Sequence, residues 1–246
     1  MAADQPDLGE QALSKVVEVA LTSQLDEVDE LNVEVRTDPG QLLQGKVESV
    51  AISGKGLVMK QDLRMESLEV NMNAIAINPL GIVFGNLELT RPTDADAQIV
   101  LTEADINQAF RSTFIQDKLD RLNLDIEGQP TAVDLQDVTI QLPGKNQFVV
   151  KAQFRLENQS KVKTLVAKAV PSIEDVGYRR IGLKVLAAEG QGLTSSLILA
   201  IFEQISILLD VRNFSIPGMT LQLHRIQVQP GKLLIDAKTQ IQSIPS

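Results

Sequence analysis

Three stretches of the chain share one pattern of apolar and polar positions. Val47-Glu-Ser-Val50-Ala-Ile52 recurs as Leu135-Gln-Asp-Val138-Thr-Ile140 and again as Leu223-His-Arg-Ile226-Gln-Val228, at intervals of 88 residues. Each copy breaks strict alternation at the same place, with two polar residues between apolar ones. A strand sends successive side chains to opposite faces, so an extra residue at a fixed point predicts a β-bulge that restores the apolar face and bends the strand. Each copy is followed by a turn signal: Ser53-Gly54-Lys55, Pro143-Gly144-Lys145 and Pro230-Gly231-Lys232. Returning strands are expected over 56–60, 147–156 and 233–240. In the second, Phe148, Val150, Ala152, Phe154 and Leu156 alternate with Val149, Lys151, Gln153, Arg155 and Glu157, so Lys151 and Arg155 point away from the core.

A helical segment precedes each copy. The first covers 8–25, with Leu13, Val16, Val17, Ala20 and Leu21 at helical spacing. The second opens on Thr102, an N-cap with Asp105 three residues on, and continues through Phe110, Phe114 and Leu119. The third runs from about Thr194 to Leu209. Further strands fit 62–77, 95–101, 161–170 and 178–189. The pattern predicts an α+β fold: a large curved antiparallel sheet on about three helices, built from a helix-plus-bulged-hairpin unit repeated three times (approximately 8–90, 95–190 and 191–246). No Pro/Gly/Ser-rich linker divides the chain. One elongated domain over 1–246, carrying one continuous sheet, is therefore expected.

Composition narrows the interior. Trp is absent, Tyr occurs once and Phe seven times, so Leu, Val and Ile fill most of the core. The net charge of -9 is local: residues 1–38 hold ten acids against Lys15 and Arg36. From Lys145 to Lys184 the sign reverses, with nine Lys or Arg against three acids. That basic sector, including Lys151, Arg155, Lys161 and Lys163, fits anionic headgroups as well as a solvated strand face. Nucleic acid is not an expected partner, because no aromatic residues interleave with the basic ones.

Catalytic vocabulary is sparse. There is no Cys and a single histidine, His224, which falls at the break of the third copy, so neither a zinc constellation nor a thiolate nucleophile can be assembled. No nucleophile elbow, phosphate loop or dinucleotide fingerprint occurs. No cofactor or metal is expected, and the chain reads as a non-enzyme.

Two apolar features are left over. In 197–209, ten of thirteen residues are apolar, and Leu197, Ile198, Ile201, Phe202 and Ile205 lie around nearly the whole helix. Such a helix is buried on all sides or faces lipid. At about 1.5 Å per residue it spans roughly 20 Å, short of a ~30 Å hydrocarbon core. The second is the segment 78–86, where Leu80, Ile82, Val83 and Phe84 sit among Pro79, Gly81 and Gly85, as in a pocket-closing or membrane-dipping loop.

The runs Ser53-Gly-Lys-Gly56-Leu-Val, Ala76-Ile-Asn-Pro79-Leu, Leu101-Thr-Glu-Ala-Asp105-Ile-Asn and Leu209-Asp-Val-Arg-Asn213-Phe resemble the bacterial LmeA-like phospholipid-binding family, from Leu8 nearly to the end of the chain. The resemblance implies phospholipid binding on an antiparallel sheet with helices, similar to tubular lipid-binding domains, and a role in envelope or membrane maintenance. Envelope members carry a leader or anchor. This sequence shows no signal peptide or spanning segment, so a cytoplasmic location peripheral to a membrane is expected, or the cell envelope if a leader was removed. The resulting expectation is a phospholipid or acyl-chain binder at a membrane surface, with a role in lipid shuttling or membrane maintenance. The alternative is a structural module that docks on membrane-associated protein complexes through its acidic N-terminal helix.

Overall fold

A computed structural model describes residues 7–59, 63–83, 88–119, 122–156, 159, 161–174, 177–214 and 218–243. Of Ile82, Val83, Asn213 and Phe214 it describes the backbone alone.

The chain opens with helix α1 (Leu8–Thr22), started by a capping box in which Asp7 and Glu10 each accept a backbone N–H from the other. Strands β1 (Leu25–Glu27) and β2 (Glu30–Arg36) follow. Leu31, Val33 and Val35 alternate inward against Glu30, Asn32, Glu34 and Arg36. A short helix α2 (Pro39–Leu43) leads to the long pair β3 (Lys46–Met59) and β4 (Leu63–Ala76), then to α3 (Pro79–Val83) and β5 (Thr93–Thr102). Thr102 ends β5 and caps α4 (Glu103–Arg111), which breaks at Ser112 into α5 (Thr113–Leu119). Next come β6 (Leu122–Ile126), β7 (Gln129–Gly144), β8 (Gln147–Leu156), β9 (Lys163–Glu174) and β10 (Arg180–Glu189). Helix α6 (Ser195–Leu208), a 3-10 turn (Val211–Phe214), β11 (Met219–Gln229) and β12 (Lys232–Ile241) complete it.

The class is α+β and antiparallel, and the three long helices fall where the periodicity puts them. The strands divide between two sheets rather than forming one. A seven-stranded sheet has the order β1-β3-β4-β5-β12-β11, with β2 alongside β1 on β3; a five-stranded sheet has the order β10-β9-β8-β7-β6. They meet at two hairpin tips. Lys145 and Asn146 form the β7–β8 turn with φ of 53° and 55°, the paired left-handed conformation that a two-residue hairpin needs. Asn146 Oδ1 accepts the Val228 N–H at 3.0 Å, and Gly231 N–H donates to the Leu142 carbonyl at 2.8 Å. Facing prolines, Pro143 and Pro230, lie between these bonds. Neither can donate to a ladder, so one sheet does not continue into the other there.

The main core lies between the sheets and takes side chains from both, including Val150, Phe154 and Leu165 of one and Leu223, Leu233 and Ile235 of the other. A smaller core lies under α1: Leu13, Val17, Val33, Val35, Val47, Val50, Ile52, Ile75 and Ile77.

Of the nine apolar positions in the three similar stretches, all but Ile226 are buried. Registers shift by one residue at Gln136 and at His224. The first stretch pairs with β4 without a shift: Ser49 faces Asn73 and Val47 faces Ile75, while Ala74 adopts a φ of 53°. The irregularity lies at Ala74 on β4, and neither strand gains a residue on the other. The expected turn at Ser53-Gly54-Lys55 and the returning strand after it are also absent, since β3 runs straight through them. Gly54 leaves room for Leu57, whose Cδ atoms would lie 2.9 Å from a Cβ at that position. In this strand the glycine serves close packing rather than a reversal.

Candidate functional site

Helix α1 lies across the inner face of the seven-stranded sheet and roofs a crevice. Its position is set by few bonds. Glu10 closes the capping box with one carboxylate oxygen and accepts the Thr37 N–H at 2.9 Å with the other, reaching 27 residues along the chain. Ser14 Oγ accepts the Val35 N–H at 3.3 Å. Below these, Leu13 and Val17 turn inward. The floor is set by register: Val50 faces Met72, and Val47 faces Ile75.

The crevice encloses ≈ 70 Å³ and is bounded by Leu13, Val17, Leu21, Val35, Val47, Val50, Ile52, Met72, Ile75, Ile77, Leu89, Met219 and Ile241. All thirteen are apolar and none can act as a general acid or base; the thioethers of Met72 and Met219 are the only metal-ligating atoms among them. Met72 and Met219 are unbranched and adapt to an irregular guest. Thr93, directly opposite Ile241 in the ladder, is 4% exposed and its hydroxyl has no hydrogen-bond partner. Sites that hold a drug-sized ligand usually enclose about 300–1,000 Å³. An acyl chain therefore requires α1 to lift.

The five-stranded sheet curls around α6, which touches its two edge strands, β6 and β10. Leu197, Ile201, Phe202 and Ile205 are all at most 3% exposed in the main core, with Ile198 packed at its margin. The all-round apolar character of this helix is accounted for by its place inside the curl. Leu199, 63% exposed, and Glu203 take the open side.

In the other apolar segment, Pro79–Val83 forms a single helical turn and Leu80 is exposed. The side chains of Ile82 and Val83, and the whole of Phe84, lie outside the described residues. The basic residues do not converge on the α1 face. Lys151 and Arg155 stand on the outer face of the five-stranded sheet, Arg155 in a 3.3 Å ion pair with Asp134. Lys161 is exposed, and Lys163 donates to the Gly192 carbonyl at 2.7 Å. Register sets Lys151, Lys168 and Lys184 on successive diagonals across β8, β9 and β10.

Two polar clusters lie elsewhere on the surface. On the outer face of the seven-stranded sheet, a depression of ≈ 330 Å³ is lined by Glu69, Asn71, Asp96, Gln98, His224, Asp236 and Lys238. It is open and polar and offers an acyl chain nothing. Among the described residues no three acidic or histidine side chains are placed to hold a metal. Beside the β10 edge, Asp210 accepts Arg212 Nε at 2.9 Å and takes Arg180 at 3.9 Å. The Arg212 hydrogen bonds hold the Asp210 carboxyl below the usual carboxylate range, against the opposing effect of burial.

The sequence identified apolar surface on α6 and at 78–86 but passed over the crevice. Its local signal was the inward row Leu13, Val17 and Leu21. Its floor depends on which strands meet, and no local pattern shows that.

Among the described residues no helix is long and apolar enough to cross a membrane. No curated protein matches the chain. A family model described as LmeA-like phospholipid-binding matches residues 5–238. That match spans both sheets and every helix, and the chain belongs to the LmeA-like phospholipid-binding family.

Proposed function

We propose that the protein holds a phospholipid by an acyl chain inserted beneath α1, and that it carries lipid at a membrane surface without making or breaking bonds. The carrying observation is the lining of the crevice: among the described residues, thirteen apolar side chains and no polar one. Energetics support a movable roof. Leu13 and Val17 are the buried anchors of α1, each contributing about 1.5–3 kcal/mol, and an acyl chain buries about 0.8 kcal/mol per methylene. About four to eight methylenes therefore offset the loss of both anchors, so lipid and α1 compete for the same surface on near-equal terms.

The alternative, a docking module acting through an acidic N-terminal helix, draws less support. The Glu10 carboxylate is engaged with Asp7 and Thr37, and Glu18 is paired with Lys15 at 2.8 Å. Glu10 and Glu18 are the two acids of α1, so neither is left unengaged to recognise a partner.

The test is native mass spectrometry of the purified chain. Phospholipid is expected to remain bound, and Val17→Trp or Met72→Trp, which fill the crevice, are expected to displace it while circular dichroism stays unchanged. Full lipid occupancy in both variants would reject the site; absence of lipid from the unaltered protein, with no uptake from vesicles, would reject the function.

A further inference from the structure

The three most exposed large apolar side chains of the described residues are Leu8 (84%), Leu43 (82%) and Leu80 (72%). They come from three elements far apart in sequence: the first residue of α1, the last of α2 and the second of α3. Packing brings them to one end of the molecule. A Cβ at Gly9, next to Leu8, would lie 3.2 Å from Cδ2 of Leu42, next to Leu43. Gly45, two residues after Leu43, accepts the Ile77 N–H at 2.8 Å, and a Cβ there would lie 3.1 Å from Pro79 Cδ, beside Leu80. Among the described residues, no side chain covers these leucines.

The charges at this end decide what covers them. Asp7 caps α1 and Asp38 caps α2, so both carboxylates are engaged with backbone N–H groups. Arg91 donates to the Ala74 carbonyl, and Lys46 to the Gln44 side chain. No unopposed basic cluster stands here to attract an anionic surface; the lysines of the outer face belong to the other sheet. The crevice reaches this end too, since Val47 and Ile77, which flank the Gly45 contact, line it.

We infer that Leu8, Leu43 and Leu80 form a tip that enters the interfacial region of a phospholipid bilayer and sets the crevice against it, with zwitterionic headgroups sufficing. The inference rests on the acyl-chain reading of the crevice and adds the route by which lipid reaches it. Leucine at a membrane interface gains by leaving water, without dependence on ionic strength.

Flotation of the full chain with phosphatidylcholine vesicles, at low and high salt, tests it. The unaltered protein is expected to float in both. Each of Leu8→Ser, Leu43→Ser and Leu80→Ser should weaken binding by about tenfold, and the triple variant should stay at the bottom. Because the tip delivers lipid but does not hold it, the triple variant should take up little lipid from vesicles yet bind phospholipid presented in detergent micelles to the level of the unaltered protein. Equal flotation of the triple variant overturns the tip but leaves the crevice standing. So does binding that requires anionic lipid, vanishes at high salt and is lost in Lys151→Glu/Lys168→Glu. So does a dimer of the unaltered protein that the triple variant breaks, since the leucines would then cover each other. An unaltered protein that neither floats nor holds lipid rejects the tip and the lipid-binding reading together.

Discussion

Arg64 Nη1 and the Asp105 carboxylate meet at 2.7 Å, tying the start of β4 to the first turn of α4. The other oxygen of Asp105 accepts the Thr102 N–H, so one buried carboxylate caps a helix and anchors a strand. The helix it starts holds the seam between the sheets. Glu103 accepts the Leu142 N–H at 2.7 Å and donates its own N–H to Gly231, while Asn107 bonds both backbone groups of Ile140. Arg64→Ala should therefore leave a buried carboxylate short of a partner and cost about 1–3 kcal/mol, less than the roughly 3–5 kcal/mol of a fully buried pair because Arg64 is 29% exposed. Urea unfolding should show a lower midpoint with an unchanged slope.

The plug formed by α6 makes a different prediction. Phe202→Ala removes a ring that is 3% exposed inside the curl of the five-stranded sheet, and a loss of about 3–5 kcal/mol is expected in denaturant titration. Leu199→Ser, on the open side of the same helix, should change stability by no more than about 0.5 kcal/mol. Similar losses at both positions would contradict the placement of the helix.

Asp210 sets an acid-dependent contribution. Its folded pKa lies below the unfolded value of about 3.9, chiefly through the Arg212 hydrogen bonds. The ionised form is therefore favoured by folding. The stability it adds is complete above the unfolded pKa and is lost as pH falls through the folded one. Melting temperatures of the unaltered protein and Asp210→Asn should differ at neutral pH and converge well below about pH 4.

Two glycines with positive φ separate crowding from strain. Gly45 (φ 71°) has no room for a Cβ, which would collide with the backbone carbonyl of Ile77; Gly128 (φ 80°) has open space around it. Gly128→Ala should cost about 1 kcal/mol, the conformational penalty alone, and Gly45→Ala clearly more. Thermal unfolding of the pair checks this, and equal losses would show that the α2–α3 contact yields freely.

How far the sequence carried depended on whether a signal was local. The turns near Pro143-Gly144-Lys145 and Pro230-Gly231-Lys232 were legible because Gly takes the left-handed conformation a tight reversal needs, although the first reversal falls one residue later, at Lys145–Asn146. The bulges at Gln136 and His224 were legible as breaks in alternation. Ser53-Gly54-Lys55 offered the same turn chemistry, but Gly54 answers to Leu57 beneath it, a contact that composition does not reveal. The alternation of β2 is local too, but its outward Glu30, Glu34 and Arg36 merge with the dense charge of 1–38. An all-apolar helix looks the same whether protein or lipid covers it, so α6 was recognised as covered without the cover being known. The crevice was hidden for the opposite reason: its walls come from α1, β2, β3, β4, β11 and β12, and only tertiary pairing assembles them.

The central claim, that an acyl chain lies beneath α1, is tested most directly by photocrosslinking. A phospholipid with a diazirine near its acyl terminus is loaded from vesicles, irradiated, and the labelled peptides are mapped. Label on peptides containing Val17, Leu21, Met72 and Met219, falling in Val17→Trp and Met72→Trp, is the predicted result. Label concentrated on 195–208, or spread over exposed residues with no loss in those variants, would contradict it.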